Sequence, residues 1–524
     1  MSAVTQQKTS FFNKFLNGVE AVGNKLPHPI TLFAIFALIV IVISAICEAL
    51  GVSATGDLVN RATNSVETQT ITAISLMNKK GIVYMLTSAV KNFTGFAPLG
   101  TVLVAMLGVG VAESSGYISA TLRHTVKITP KQIITPVVVF LGVMSNIASD
   151  AGYVVLIPIG ALMFMAYGRH PLAGLAAAFA GVSGGFSANL VIGTTDPLLS
   201  GITNEAVKLI DPNYIVHPTA NWYFMFVSTF LITIVGTFVT NKIVEPRLGK
   251  WSPSMLSDDE DISAASTQDL TACERKALKA ANYTLLFMLL AIIVLAIPES
   301  SFLRNPKTGS LIAGAPLMDG IIFLIAIYFF IPGVVYGKVS GSFKGEKDIA
   351  QALGKSMASM GGYMALVFVA AQFIAYFGYT KLGTILAING ANFLKETGIG
   401  GIPLMLLFIL FSAFINLFMG SASAKWTIMA PVFVPMFMLL GYSPELTQVA
   451  YRIGDSSTNI ITPLMSYFAM IIVFAKRYDK DAGIGTLIST MLPYSMTFLV
   501  GWSILLVIWM LLGLPVGPGA PLMI

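Results

Sequence analysis

The chain has 524 residues, 55% of them apolar and 11% charged, with a formal net charge of +6. Soluble domains carry roughly 25% charged residues, so a water-facing coat for this much apolar sequence is excluded, and a polytopic α-helical membrane protein is expected. The basic residues are dispersed among short loops, which excludes a nucleic-acid surface, and Cys47 and Cys273 are too few and too far apart for a disulfide framework or a CxxC metal site.

Residues 1–29 read as a cytoplasmic N-terminus without a cleavable signal peptide, because the first apolar run, about 30–50, is long enough to remain as a span. A first half, 30–242, holds further spans at about 93–112, 171–193 and 222–241. The stretch 51–81, rich in Thr, Asn and Ser, reads as an external loop of modest structure. The polar segment 243–280 links the halves on the cytoplasmic side, and its acidic run 257–261 reads as solvated linker. The second half, 281–524, holds spans at about 281–298, 318–336, 357–378, 446–475 and 485–512. Two apolar stretches, 131–168 and 402–441, are too long for one span and are broken midway by small and polar residues. Each reads as a re-entrant hairpin. The expected fold is therefore all-α and polytopic: nine transmembrane helices plus two opposed re-entrant hairpins from an inverted repeat.

Charge sets the orientation. With the N-terminus in the cytoplasm, twenty of the 31 Lys and Arg residues fall inside and nine outside, with Lys425 and Arg452 in the membrane. The repeat itself lies at an offset of 273 residues: the sequence from Tyr153 matches that from Trp426 without a gap. Pro158 falls on Pro431, Gly168 on Gly441, Pro171 on Pro444 and Gly181 on Gly454. Matched prolines and glycines mark matched backbone breaks. Five crossings separate the hairpins, so the copies are inverted and build one midplane site reachable from either side.

Each copy offers a polar tip and a broken helix: 145–152 with 183–197 in the first, 416–426 with 452–463 in the second. Unwound carbonyls and Ser, Thr or Asn oxygens suit a hard cation such as Na⁺, and helix N-termini favour an anionic group. Taken singly, the small residues there could equally serve tight helix packing. Asp150, Asp196, Lys425, Arg452 and Asp455 are charges inside the membrane and candidates for function. Arg452 and Asp455 stand three apart on one helix face. Either they pair, or Arg452 offers its fork to a substrate carboxylate. Trp426 either stacks on an aromatic substrate or anchors its hairpin. The four histidines fall in loops without metal spacing, and no nucleophile–base pair lies in the membrane, so an enzyme is not expected.

The segments VMSNIASDAGYVVLIP, GGFSANLVIGTTDPLLSGIT and YRIGDSSTNIITPLMSYF resemble the aminobenzoyl-glutamate transporter (AbgT) family. The similarity runs over nearly the whole chain. It implies a bowl-shaped homodimer in the inner membrane of a bacterium, transporting p-aminobenzoyl-glutamate or related aminobenzoate folate precursors. The alternative it implies is a sodium- or proton-coupled exporter of sulfonamide-type antimetabolites. It implies no cofactor beyond a coupling ion, Na⁺ or a proton, and as partners a small aromatic carboxylate and the lipid bilayer. By the same resemblance, Asp196, Ser423, Trp426, Pro444, Arg452, Asp455 and Pro463 line the substrate path, and Asn146, Asp150, Gly193 and Thr194 ligate sodium. The ion is then expected to lean toward the first copy and the substrate toward the second.

Overall fold

A computed structural model of the chain describes residues 27–59, 66–148, 152–251, 270–312, 314–465 and 467–524. Helix α1 (Pro29–Ala49) leads into an antiparallel pair, β1 (Ser53–Val59) and β2 (Val66–Thr72), and then α2 (Lys79–Thr94) and α3 (Ala97–Ser114). The first copy of the repeat follows a short α4 (Tyr117–Lys127). It consists of α5 (Ile134–Ser145), α6 (Ile157–Ala166), α7 (Pro171–Phe179, continued by a wide turn to Gly184) and α8 (Thr195–Val207). After α9 (Trp222–Val239) come α10 (Ala272–Ala296), α11 (Ile321–Ser340), α12 (Glu346–Ser359), α13 (Gly361–Tyr379) and α14 (Leu382–Thr397). The second copy is α15 (Gly401–Asn416), α16 (Ala422–Met438), α17 (Pro444–Asn459) and α18 (Phe468–Lys476), and α19 (Ile484–Leu511) closes the helical part.

Among the described residues, seven helices are long and apolar enough to cross a membrane: α1, the run of α2 into α3, α9 extended to Leu248, α10, α11, α13 and α19. Helices α4 and α5 together have the composition of an eighth, but the chain bends by 113° between them. Pro130 lies at that corner and carries no amide hydrogen to continue the helix. The protein is thus a polytopic helical membrane protein, and both repeat copies are made of helices too short to cross alone.

Several local expectations change. The stretch 51–81 holds the β1–β2 ribbon, in which Thr55 pairs with Thr70 and their hydroxyls meet at 2.8 Å. Cross-strand threonines suit such a ribbon, and Gly56 lets it settle on Ile388 of α14. Helix α2 starts at Lys79, ahead of the expected 93, because Asn78 caps it by accepting from Gly81 N at 2.8 Å. Helix α10 starts at Ala272 rather than 281 for a similar reason. Thr271 and Glu274 form a reciprocal capping box there, with bonds of 3.1 and 2.8 Å. The acidic run 257–261 lies outside the described residues.

The repeat is legible in the backbone. Gly168 and Gly441, which follow α6 and α16, both take positive φ, +71° and +88°. Pro171 and Pro444 both open the next helix, and His170 and Ser443 both cap it. Gly181 packs on Val139 and Gly142 of α5, as Gly454 packs on Ile409 and Ser412 of α15. The first arms therefore match at an offset of 270, not 273: the second tip is three residues longer. The C-terminus clasps the turn after α16, with Ser443 N donating to Leu522 O and Ile524 N to Gly441 O.

Candidate substrate and ion site

The first break falls within the expected 183–197, whereas of the expected 452–463 the residues up to Asn459 continue α17 and the break begins only at 460. Residues 185–194 between α7 and α8 are non-helical, as are 460–465 between α17 and α18. The tips of the two helix pairs, after Asn146 and Asn416, lie against these breaks. A Cβ placed on Gly193 would lie 3.5 Å from both Asn146 O and Ile147 Cα, ordinary van der Waals contact. Tips and breaks of both copies converge on a cavity of about 320 Å³, whose wall includes Asn146, Thr194, Thr195, Ser421, Ser423 and Asn459. Aromatic surface is supplied by Phe186, Tyr363 and a stacked pair, Tyr153 and Tyr467, with ring centroids 4.5 Å apart. Helices α8 and α16 both begin at this cavity, so two positive dipole ends bear on it.

Behind the cavity stands α17. All sixteen of its residues are buried, although it carries Glu445, Gln448, Arg452, Asp455 and Asn459. Burying such a helix is costly unless each polar group finds a partner, and here most do. Arg452 Nη1 pairs with Asp196 Oδ1 at 2.7 Å. The other Asp196 oxygen accepts from Gly193 N at 2.7 Å. Asp196 sits in the first turn of α8, where the helix dipole favours a carboxylate. It thereby ties the break of the first copy to the middle of the second. Asp455 pairs instead with Lys425 of α16, whose ammonium also donates to Asn416 Oδ1. Arg452 and Asp455 are therefore not partners of each other, despite their spacing.

Trp426 is fully buried. Its ring stacks on Tyr451 with centroids 4.5 Å apart, and its Nε1 donates to Thr203 Oγ1 of α8 at 2.9 Å. Thr203 also reaches Gln448 Oε1 at 2.5 Å, and Gln448 Nε2 donates to Asn221 Oδ1 at 2.7 Å. In this arrangement Trp426 anchors α16 to the first copy.

The sequence candidates thus separate. Asn146, Thr194 and Ser423 line the cavity, and Gly193 lies directly behind Thr194. Asp196, Trp426, Arg452 and Asp455 form the buried polar layer behind it. Pro463 is half-buried in the second break. Pro444 begins α17, about 22 Å along the helix axis from Asn459 at 1.5 Å per residue. Asp150 lies outside the described residues. Sequence reasoning did not single out Tyr153, Tyr467, Thr203, Asn221 or Gln448, because neither charge nor a break marks them. Among the described residues no group of three or more His, Cys, Asp or Glu side chains could hold a metal ion.

Comparison with known proteins fits this geometry. A family described as the "AbgT putative transporter family" matches residues 14–524. The p-aminobenzoyl-glutamate transport protein of Escherichia coli (strain K12) is 39% identical over 519 residues, 99% of each chain. The crystal structure of the Alcanivorax borkumensis YdaH transporter, described as having an unusual topology, is 47% identical with a TM-score of 0.87, covering 94% of this chain and 100% of that one. The structure of Neisseria gonorrhoeae MtrF, described as illuminating a class of antimetabolite efflux pumps, is 50% identical with a TM-score of 0.90, covering 97% of this chain and 100% of that one.

Proposed function

The chain belongs to the AbgT transporter family, and on that premise we propose that it is a secondary transporter of p-aminobenzoyl-glutamate, working by alternating access in a bacterial inner membrane. The observation that carries the reading is the cavity of about 320 Å³ where both tips and both breaks meet. Small-ligand pockets run upward from about 300 Å³, and non-helical backbone at membrane depth is tolerated where it lines such a cavity. The aminobenzoyl ring would lie against Tyr153, Phe186 and Tyr467, and carboxylates would meet the N-termini of α8 and α16 beside Ser423.

In this reading the seven continuous helices and the two broken ones make nine crossings. The pairs α5–α6 and α15–α16 are opposed re-entrant hairpins, in halves spanning 30–242 and 281–524. The distribution of Lys and Arg favours a cytoplasmic N-terminus. A homodimer is carried by the family resemblance. Asp196, Arg452 and Asp455 are the charges whose pairing would change between inward and outward states. Trp426 holds α16 to the first copy, and Pro444 and Pro463 bound α17 and its break. The coupling ion is Na⁺ or a proton. For Na⁺, the fit rests on Asn146, whose Oδ1 is buried without a hydrogen-bond partner among the described residues, beside Gly193 and Thr194. Asp150 belongs to the same proposed set.

A second reading is an exporter of sulfonamide-type antimetabolites. It is favoured by the likeness, at 50% identity, to a structure described as an antimetabolite efflux pump. Proteoliposomes decide between them: labelled p-aminobenzoyl-glutamate, p-aminobenzoate and a sulfonamide are offered with Na⁺ and pH gradients imposed separately. Gradient-driven movement and counterflow of p-aminobenzoyl-glutamate are expected. If neither gradient moves it and unlabelled internal substrate does not accelerate its entry, the assignment fails.

A further inference from the structure

The two copies end their first hairpin arms alike, on Asn146 and Asn416, at the offset of 270 set by the glycine contacts. Each asparagine sends Nδ2 to the same register position in the downstream segment of its copy. Asn146 reaches Gly185 O at 3.3 Å, and Asn416 reaches Thr458 Oγ1 at 2.9 Å and Asp455 O at 2.6 Å. Gly185 and Thr458 are equivalent at the offset of 273. The two amide oxygens differ. Asn416 Oδ1 accepts from the Lys425 ammonium, which is held on its other side by Asp455. Asn146 Oδ1 is buried and has no hydrogen-bond partner among the described residues. At the first-copy positions equivalent to Lys425 and Asp455 stand Gly152 and Val182, packed together so that a Cβ on Gly152 would lie 3.0 Å from Val182 Cγ1.

We propose that Lys425 is a tethered cation: in the second copy its ammonium takes the place that a coupling cation takes beside Asn146 in the first, so the protein couples through one ion site and not two. This rests on the reading of Asn146 as an ion ligand. An ammonium is a compact point charge with three donors. Asn416 Oδ1 and the Asp455 carboxylate give it the acceptors that a dehydrated alkali cation would need, while Asp455 balances its charge. A cation fixed to the chain keeps the second tip docked on α17 whatever the ion concentration. The first tip, with Gly152 in the lysine's place, docks only when an ion arrives from solution. The repeat is then inverted in backbone but asymmetric in ion demand.

The test is the melting temperature of the purified protein against Na⁺, with choline balancing ionic strength. It is run on the wild type, Asn146→Ala, Lys425→Ala and the Lys425→Ala/Asn146→Ala double variant. Ligands that bind only the folded state raise its stability with concentration. The expected result is a dose-dependent rise with Na⁺ in the double variant that exceeds the response of Asn146→Ala alone. A double variant responding no more than Asn146→Ala overturns the proposal. Should Lys425→Ala not fold, Lys425→Gly takes its place under the same two outcomes, since it vacates the ammonium's position and keeps Asn416 Oδ1 and the Asp455 carboxylate as acceptors. The single Asn146→Ala variant reports separately on the underlying reading: if it keeps the full wild-type Na⁺ response, the first-copy ion site fails, while the comparison between Asn146→Ala and the double variant still decides Lys425.

Discussion

Arg452 of the second copy lies 2.7 Å from Asp196 of the first, and this pair is a direct electrostatic link between the two copies of the repeat. Both side chains are largely buried, so neither can lose its partner without leaving an uncompensated charge in a dry place. The pair crosses from the centre of α17 to the first turn of α8, the two elements whose breaks face the cavity.

Breaking that pair from one side is expected to cost about 3–5 kcal/mol of stability. Arg452→Ala and Asp196→Ala should each lower the melting temperature of the purified protein and abolish transport. The double variant should be more stable than the sum of the single losses predicts, because it leaves no lone charge. Additive losses would show that the two side chains do not interact in the folded protein.

Trp426→Phe removes the indole donor to Thr203 but keeps most of the stack on Tyr451. The loss should be about 0.5–1.5 kcal/mol, against about 3–5 kcal/mol for Trp426→Ala. Because the ring is enclosed by protein, KM for p-aminobenzoyl-glutamate in Trp426→Phe should stay near the wild-type value. A tenfold rise in KM, roughly 1.4 kcal/mol of binding, would instead put the ring on the substrate.

Gly181→Ala and Gly454→Ala probe the packing shared by the copies. A Cβ at Gly181 would lie 2.3 Å from Val139 O, and one at Gly454 would lie 2.5 Å from Ile409 O. Both are backbone atoms that cannot swing away, so each change should cost about 1–3 kcal/mol. Gly100→Ala in α3 meets nothing within 4 Å and should cost nothing, which makes it the control in the same melting assay.

His170, before α7 and outside the spans, gives a pH dependence. Its Nδ1 accepts from Leu172 N at 3.2 Å as the helix cap, a role for the neutral ring. Burial pushes its pKa below the ordinary 6.5, opposed by Asp479 and Glu245. The folded state therefore resists a proton that the unfolded chain takes up. Its contribution is fully present above pH 6.5 and is lost as pH falls below that value toward the folded pKa. The melting temperature should drop more between pH 7.5 and 5.5 in the wild type than in His170→Asn, which can still cap the helix but does not titrate.

Much of the architecture could be read from the sequence because its signals are local and additive. Apolar runs located seven continuous helices, and the matched Pro171–Pro444 and Gly168–Gly441 located the same turns in both copies. Elements that depend on capping or on a distant neighbour were harder to see. The ribbon on α14 and the early starts of α2 and α10 each rest on one packing contact or on one or two side-chain bonds that composition does not encode.

By itself, then, the sequence determined the membrane class, the repeat and the position of the first break. Hydrophobic length, glycine and proline act where they stand in the chain. Only the tertiary structure decided who partners whom. Spacing put Arg452 beside Asp455, yet Arg452 meets Asp196 and Asp455 meets Lys425. It also set Trp426 against Tyr451 and Thr203, where the sequence left substrate stacking and anchoring open, and brought Tyr153 onto Tyr467 across 314 residues. A charge in a low-dielectric interior takes the partner that packing brings within reach, and that choice is made between helices, where no sequence offset records it.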